Sequence, residues 1–196
     1  MKNNILETLN KTEKEYVQIK SVKNNTVLYR EGDKCESIVI LMSGEVKIFS
    51  YSFEGKELIY NILKKNDIFG NNLIFSDEPY YKGDVITTKD SIIAIINKDK
   101  LIKLLQSNKD FLINYLNIQS NFTKKLNSTI KLLSFSSAED RLNFYLHENN
   151  NVVHFDSITS LSTILHLQRE TLSRLLTKLE KENIIRRSLH KIELIN

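Results

Sequence analysis

The sequence is poor in the residues that staple, kink or span. It has one cysteine, one proline and no tryptophan in 196 residues. With Cys35 alone, neither an internal disulfide framework nor a four-cysteine metal cluster can form within one chain. No N-terminal stretch has the length or flanks of a signal peptide. The longest apolar runs, Ile38 to Met42 and Ile92 to Ile96, are far too short to cross a bilayer. A cytoplasmic protein with no membrane partner is expected. Histidine is scarce too: His147, His154, His166 and His190 all lie in the rear half of the chain, in no metal-ligand spacing. That argues against a barrel enzyme built on a His-held metal, and against a haem sensor with a His ligand among the strands. Phosphate loops, nucleophile elbows and zinc-protease motifs are missing as well. No catalytic residue, metal or other cofactor is therefore expected.

The breakers that do occur divide the chain. All five glycines, Gly32, Gly44, Gly55, Gly70 and Gly83, and Pro79 fall between residues 32 and 83. The front is expected to be strands and turns, the back helices, and residues 1 to 20 a short helix packed on the strands after it. Runs rich in β-branched and aromatic residues occupy Thr26–Arg30, Ser37–Met42, Glu45–Tyr51, Glu57–Leu63, Asp84–Lys89 and Ser91–Ile96. Turn residues separate them at Glu31-Gly32-Asp33, Ser43-Gly44, Glu54-Gly55-Lys56 and Lys65-Asn66-Asp67, the pattern of a sandwich or barrel.

Leu101, Leu104 and Leu105 mark a short helix. Leu112, Tyr115, Gln119, Phe122, Leu126, Thr129 and Leu133 then recur at alternating steps of three and four. Such a stripe is either a helix laid on the strands or a dimer seam. Gln119 and Thr129 at seam positions favour the seam, where polar residues set register. Ser136 with Glu139 reads as a capping box that restarts a helix near Ala138 and marks a hinge.

The 159–187 stretch reads as two short helices joined by a tight turn at His166-Leu167. Leu161, Ile164 and Leu165 line the first helix, and Leu172, Leu175, Leu176 and Leu179 the second. Arg169, Glu170, Thr171 and Arg174 are left to point away from that stripe. Arg can pair with the O6 and N7 edge of guanine, and Glu can accept from cytosine N4. Glu170 and Arg174 could equally form a surface ion pair at i,i+4. Val152–Phe155, Ile184–Arg187 and Lys191–Ile195 read as short strands, the last two forming a basic hairpin. Net charge is +4; residues 157–196 hold seven Lys and Arg against four acidic residues, which leaves +1 elsewhere.

Arg169-Glu170-Thr171 with Arg174 resembles the R-E-T-x-x-R recognition helix of the Crp/Fnr family of bacterial transcription regulators. Leu179 to Ile185 resembles that family's L-E-x-x-G-L-I exit, and the order E-G-D, S-G-E-V-K, D-I-F-G resembles its β-roll sensor. His166 stands in place of a turn Gly, Gln168 in place of a capping Ser, and Asn183 in place of the exit Gly. The resemblance implies an α+β fold: an N-terminal β-roll (double-stranded β-helix) sensor over 1–107, a dimerisation helix and hinge over 108–135, and a winged helix-turn-helix over 136–196. It implies a homodimer on double-stranded DNA with a TGTGA-like inverted repeat, and RNA polymerase as a candidate partner. DNA contacts would come from Arg169, Glu170, Arg174, Gln168, Thr171, Thr159, Lys178, Arg186 and Arg187. A small-molecule effector would sit among Phe69, Gly70, Asn71, Asn72, Leu73 and Lys82. There Asn71 replaces the Glu that holds a ribose hydroxyl, and no Arg occurs between Glu31 and Arg141. Cyclic AMP and cyclic GMP are therefore expected not to bind usefully. The loop closes over an unidentified, less anionic ligand or collapses on Leu73, Ile74 and Phe75. The alternative is a ligand-sensing module whose rear helices dock on a protein partner.

Overall fold

In the computed structural model, which describes residues 5–195, the chain forms two compact units that divide between Asn121 and Phe122. The first opens with two single 3-10 turns, Ile5–Thr8 and Glu13–Tyr16. Strand β1 (Gln18–Val22) comes next. The short helix expected over residues 1–20 does not form across the described part of that stretch, and residues 1–4 lie outside it. Asn10 and Glu13 exchange side-chain to backbone bonds of 2.9 and 3.0 Å at the start of the second turn, which ends after one turn at extended Val17. The next residues pair along β8 instead, from Gln18 opposite Ile95 to Val22 opposite Ser91.

The strands expected from composition all form, with ends shifted by one or two residues: β2 (Val27–Tyr29), β3 (Ser37–Ser43), β4 (Val46–Tyr51), β5 (Glu57–Leu63), β7 (Asp84–Thr87) and β8 (Ser91–Asn97), with β6 (Ile68–Phe69) in addition. They make two antiparallel sheets, β1-β8-β3-β6 and β2-β7-β4-β5. One apolar cluster joins them, with Val39, Leu41, Ile93 and Ile96 from one sheet and Val46, Leu63 and Val85 from the other. Side chains alternate across each strand, so a half-apolar strand can supply this core with every second residue.

Helix α1 (Lys98–Ser107) begins where Asn97 Oδ1 accepts from Lys100 N, and it buries Leu101 and Leu104. Helix α2 (Lys109–Ser134) starts at Asn108, whose side chain accepts from Phe111 N at 2.9 Å. It passes from the first unit into the second. Helix α3 (Ala138–Glu148) is capped by Ser137, whose Oγ accepts from Asp140 N at 2.9 Å. The expected Ser136–Glu139 cap is thus displaced by one residue. Ser137 is the residue with extended backbone, so its hydroxyl faces the open N–H groups.

Then come β9 (Val152–His154), α4 (Ile158–Ile164), α5 (Arg169–Lys181), β10 (Ile185–Ser188) and β11 (Lys191–Leu194), the strands in the order β10-β11-β9. Leu142, Leu146, Leu161, Leu165, Leu172, Leu176, Leu179, Ile185 and Ile192 form the core of this unit. Each such side chain contributes about 1.5–3 kcal/mol on burial. None of the described helices is long and apolar enough to cross a membrane.

Candidate nucleic-acid interface

The turn between α4 and α5 is built without glycine. Ser157 and Ser160 form a reciprocal capping box at the start of α4, and Leu165 is its last right-handed residue. His166 takes a φ of +51°, and Leu167 N then donates to Ser162 O at 2.9 Å. A non-glycine residue holds that conformation at a cost of about 1–2 kcal/mol. Asn183 does the same at the far end of α5 with a φ of +55°. Both departures from glycine thus keep the backbone path that glycine would allow. Burial lowers the His166 imidazole pKa, and the nearby Arg141 charge lowers it further.

Helix α5 buries Leu172, Leu176 and Leu179 and turns Arg169, Glu170, Ser173, Arg174 and Thr177 to solvent. Its N-cap, Gln168, is extended but makes no side-chain cap bond. Arg169 and Arg174 make no hydrogen bond or ion pair among the described residues, and Glu170 and Arg174 do not pair with each other. The surface ion pair that their spacing allows is therefore not how these charges are used. Lys178 differs: its ammonium lies 3.0 Å from Glu139 on α3, and that hydrogen bond raises its pKa. On the hairpin Lys191 pairs with Glu193 at 2.8 Å, and Arg186 stands opposite Glu193 in the β10–β11 register. Arg186 and Thr159 are exposed, whereas Arg187 is half-buried over the small sheet. A shallow groove along α5 is lined by Arg174, Thr177, Lys178, Lys181 and Glu182.

Sequence reasoning missed Arg141. Its Nε donates to Phe135 O at 2.9 Å and its Nη1 to His166 O at 3.0 Å. No local signal marks this, because the two acceptors are backbone groups 31 residues apart in sequence.

The loop after β6 is closed by its own chain. Gly70 has a φ of +80°, and a Cβ there would meet Ser37 O at 2.6 Å. Asn71, expected to face an effector, is buried. Its side-chain amide donates to Gln119 Oε1, and its carbonyl accepts from Gln119 Nε2 at 2.9 Å and from Tyr115 Oη at 3.2 Å. Burial pushes the Tyr115 hydroxyl pKa up to about 12. Phe69 and Ile74 sit in the β-roll core with Leu73 packed against it, while Asn72 is exposed. Lys82 lies 3.7 Å from Glu78, and Asp84 accepts from Glu31 N at 2.8 Å. Phe75 is exposed, its ring 5.5 Å from the Lys98 ammonium. Cys35 is buried, and burial raises its thiol pKa. Tyr81 is buried too, its hydroxyl pKa raised by burial first and then by the neighbouring Cys35 and Tyr29.

The same helix α2 places the residues expected in a dimer seam in two different surroundings. Tyr115 is only 5% exposed and belongs to the β-roll core, while Gln119 bonds Asn71. Thr129 is half-buried and donates to Lys125 O at 3.0 Å. The apolar side chains left in solvent are Ile113, Leu116, Phe122, Leu126, Ile130 and Leu133. Of the residues expected in the seam, Tyr115 is buried, Leu112, Gln119 and Thr129 are half-buried, and Phe122, Leu126 and Leu133 are exposed.

Comparison with known proteins agrees with this geometry. Residues 19–108 match the cyclic nucleotide-binding domain. The chain is 27% identical over 177 residues to the anaerobic regulatory protein of Bacillus subtilis, covering 85% of this chain and 74% of that protein. It is 24% identical over 183 residues to the cAMP-activated global transcriptional regulator CRP of Salmonella typhimurium, covering 87% and 86%. Among solved structures, a CooA variant from Carboxydothermus hydrogenoformans has the same fold, with a TM-score of 0.75 at 19% identity over 100% of this chain and 93% of that one. These relatives are regulators and not enzymes. With a β-roll in front that matches the cyclic nucleotide-binding domain and a helix-turn-helix behind, the chain is similar along most of its length to regulators of the Crp/Fnr type.

Proposed function

We propose that the protein is a homodimeric transcription regulator that reads a TGTGA-like inverted repeat with α5 and is not controlled by cyclic AMP. The observation that carries this reading is the outward face of α5, where Arg169, Glu170 and Arg174 stand exposed with no ion pair among the described residues. Charged groups left solvated on one helix face, over a buried leucine stripe, are available to base edges at no cost to the core. Gln168, Thr171 and Thr159 flank that face. Arg186 and Arg187 on the hairpin supply phosphate contacts, and Lys178 joins them on leaving Glu139. The exposed apolar stripe of α2 supports self-assembly through that helix, which doubles the site read.

Cyclic AMP independence rests on the loop after β6. The only cation between Ser76 and Asp84 is Lys82, which faces Glu78. Asn71 spends its amide and carbonyl on α2. Loss of an Arg–phosphate pair removes several kcal/mol, on the order of a thousandfold in affinity. The regulator is then set by its abundance or by a ligand that is not a cyclic nucleotide.

Fluorescence anisotropy tests this with a labelled duplex carrying the inverted repeat, a scrambled duplex, a series of salt concentrations, and millimolar cyclic AMP in parallel. The repeat is expected to bind more tightly than the scrambled duplex by a factor on the order of a thousand, with steep salt dependence and no response to the nucleotide. Weak, salt-insensitive binding to both duplexes would favour docking on a protein partner. Tighter operator binding at micromolar cyclic AMP would overturn the effector assignment.

A further inference from the structure

We propose that Arg141 is a positioning residue for operator recognition: its guanidinium locks the recognition helix to the end of α2, so that a dimer presents its two α5 helices at one fixed spacing. The proposal rests on the DNA-binding reading of α5, and hydrogen exchange judges it without DNA.

Arg141 sits in the first turn of α3 and touches neither base nor phosphate in this role. Its Nε donates to the carbonyl of Phe135, the first residue beyond α2, at 2.9 Å. Its Nη1 donates to the carbonyl of His166, in the left-handed turn two residues ahead of the α5 N-cap, at 3.0 Å. A carbonyl just past a helix end has no partner within the helix and needs one from elsewhere. Among the described residues this guanidinium is the hydrogen-bonded link between the α2–α3 connection and the helix-turn-helix turn. The Phe135 ring packs on Phe144, 5.4 Å between centroids, which holds the connection to α3 alone.

The connection is only Phe135, Ser136 and Ser137, between helices of 26 and 11 residues. Leu132 anchors the end of α2 in the core of this unit, so what the connection leaves to be fixed is a small rotation of the helix-turn-helix about that anchor. An inverted repeat requires its two halves about one helical turn, roughly 34–36 Å, apart. Such a rotation would blur that distance in a dimer. Arg141 limits it by tying the connection directly to the turn that starts α5. Arginine suits the task because its planar fork carries two donors in fixed relation and keeps its charge at all accessible pH; a lysine ammonium is a single point on a flexible stem.

Two variants separate positioning from general support: Arg141→Met, which keeps the apolar stem, and Arg141→Lys, which keeps the charge. Each is measured against three duplexes: one half-site, the full repeat, and full repeats with the spacer changed by one base pair. Wild type should prefer one spacer sharply. In both variants affinity for the full repeat should fall by on the order of tenfold and the spacer preference should flatten, while half-site affinity stays unchanged. Wild-type spacer preference in both variants, or equal loss on half-site and full repeat, would overturn the proposal.

The second measurement is amide hydrogen exchange on the DNA-free proteins. Faster exchange confined to 135–138 and 166–171, with the Leu172–Leu179 core of α5 unchanged, is the expected result. Exchange identical to wild type in these segments, or faster throughout the unit, would overturn the proposal whether or not the operator sequence is right. If wild type binds none of the duplexes, the operator reading fails and the exchange result still decides the role of Arg141.

Discussion

The loop after β6 and the helix α5 treat their polar groups in opposite ways. Asn71 is buried, so its polar groups need partners inside the protein: its side-chain amide donates to Gln119, and its backbone carbonyl accepts from Gln119 and Tyr115. One side-chain N–H and the backbone carbonyl of Asn71 are thereby tied to α2. Arg169, Glu170 and Arg174 remain in water with their donors and acceptors unspent. In the front of the chain the loop is tied to α2, and in the back a polar face stays open. The contrast teaches that residue types alone do not make a site; the partners already present decide whether it is available.

Helix α2 contains both behaviours. Its first turns give Phe111 and Tyr115 to the β-roll core, whereas Leu126 and Ile130 farther along are 49% and 59% exposed. The largest expected effect tests this second half. Ile130→Asp places an unpaired charge in a seam between copies, at a cost of about 3–5 kcal/mol, and should leave a monomer at micromolar concentration in sedimentation. Thr129 is half-buried beside the exposed apolar stripe, and Thr129→Asp should leave the dimer intact. A reversed outcome would restore the register expected from spacing alone.

A pair of substitutions then breaks the contrast between loop and helix directly. Arg174→Ala should weaken operator binding by about 1–3 kcal/mol, relax the choice at one G·C pair and leave the melting temperature unchanged. Asn71→Ala removes the donor to Gln119 Oε1 and should lower the stability of the first unit by about 1–2 kcal/mol, while single half-site affinity stays at wild type. Melting curves and anisotropy on both variants give the four readings. A loss of half-site affinity from Asn71→Ala, or of stability from Arg174→Ala, would erase the distinction.

Much of this was legible in the sequence because it is local. The leucine stripe of α5 fixes which face is buried, so the opposite face is fixed with it. The glycine and asparagine turns bracket the β-roll strands within two residues. What stayed hidden depends on packing between distant residues. Strand β1 has only Ile19 and Val22 as apolar signal, and its identity comes from pairing with β8. Spacing could not show that Tyr115 belongs to the β-roll core while Leu116 stays in solvent, because both are apolar neighbours on α2. Asn71 meets Gln119 across 48 residues, and Arg141 meets His166 across 25.

The smallest expected effect concerns pH, at the junction where the open face of α5 begins. His166 holds a left-handed backbone, its ring is partly desolvated, and the Arg141 guanidinium bonds its own carbonyl. Burial and then that positive charge both disfavour the imidazolium, so the folded pKa lies below the ordinary 6.5. Below pH 6.5 the unfolded chain therefore binds a proton that the folded chain resists. This group's contribution to stability is thus fully present above 6.5, declines as the pH falls below it, and levels off once the folded ring is protonated too. His166→Asn keeps a residue that tolerates the left-handed turn and removes the titration. Thermal melts of the second unit between about pH 5 and 7.5 should show a shallower acid slope in the variant than in wild type, with carboxylate titrations common to both. Equal slopes would mean that the His166 proton is taken up alike in the folded and unfolded chains, and that the turn is as solvated as the helix face it introduces.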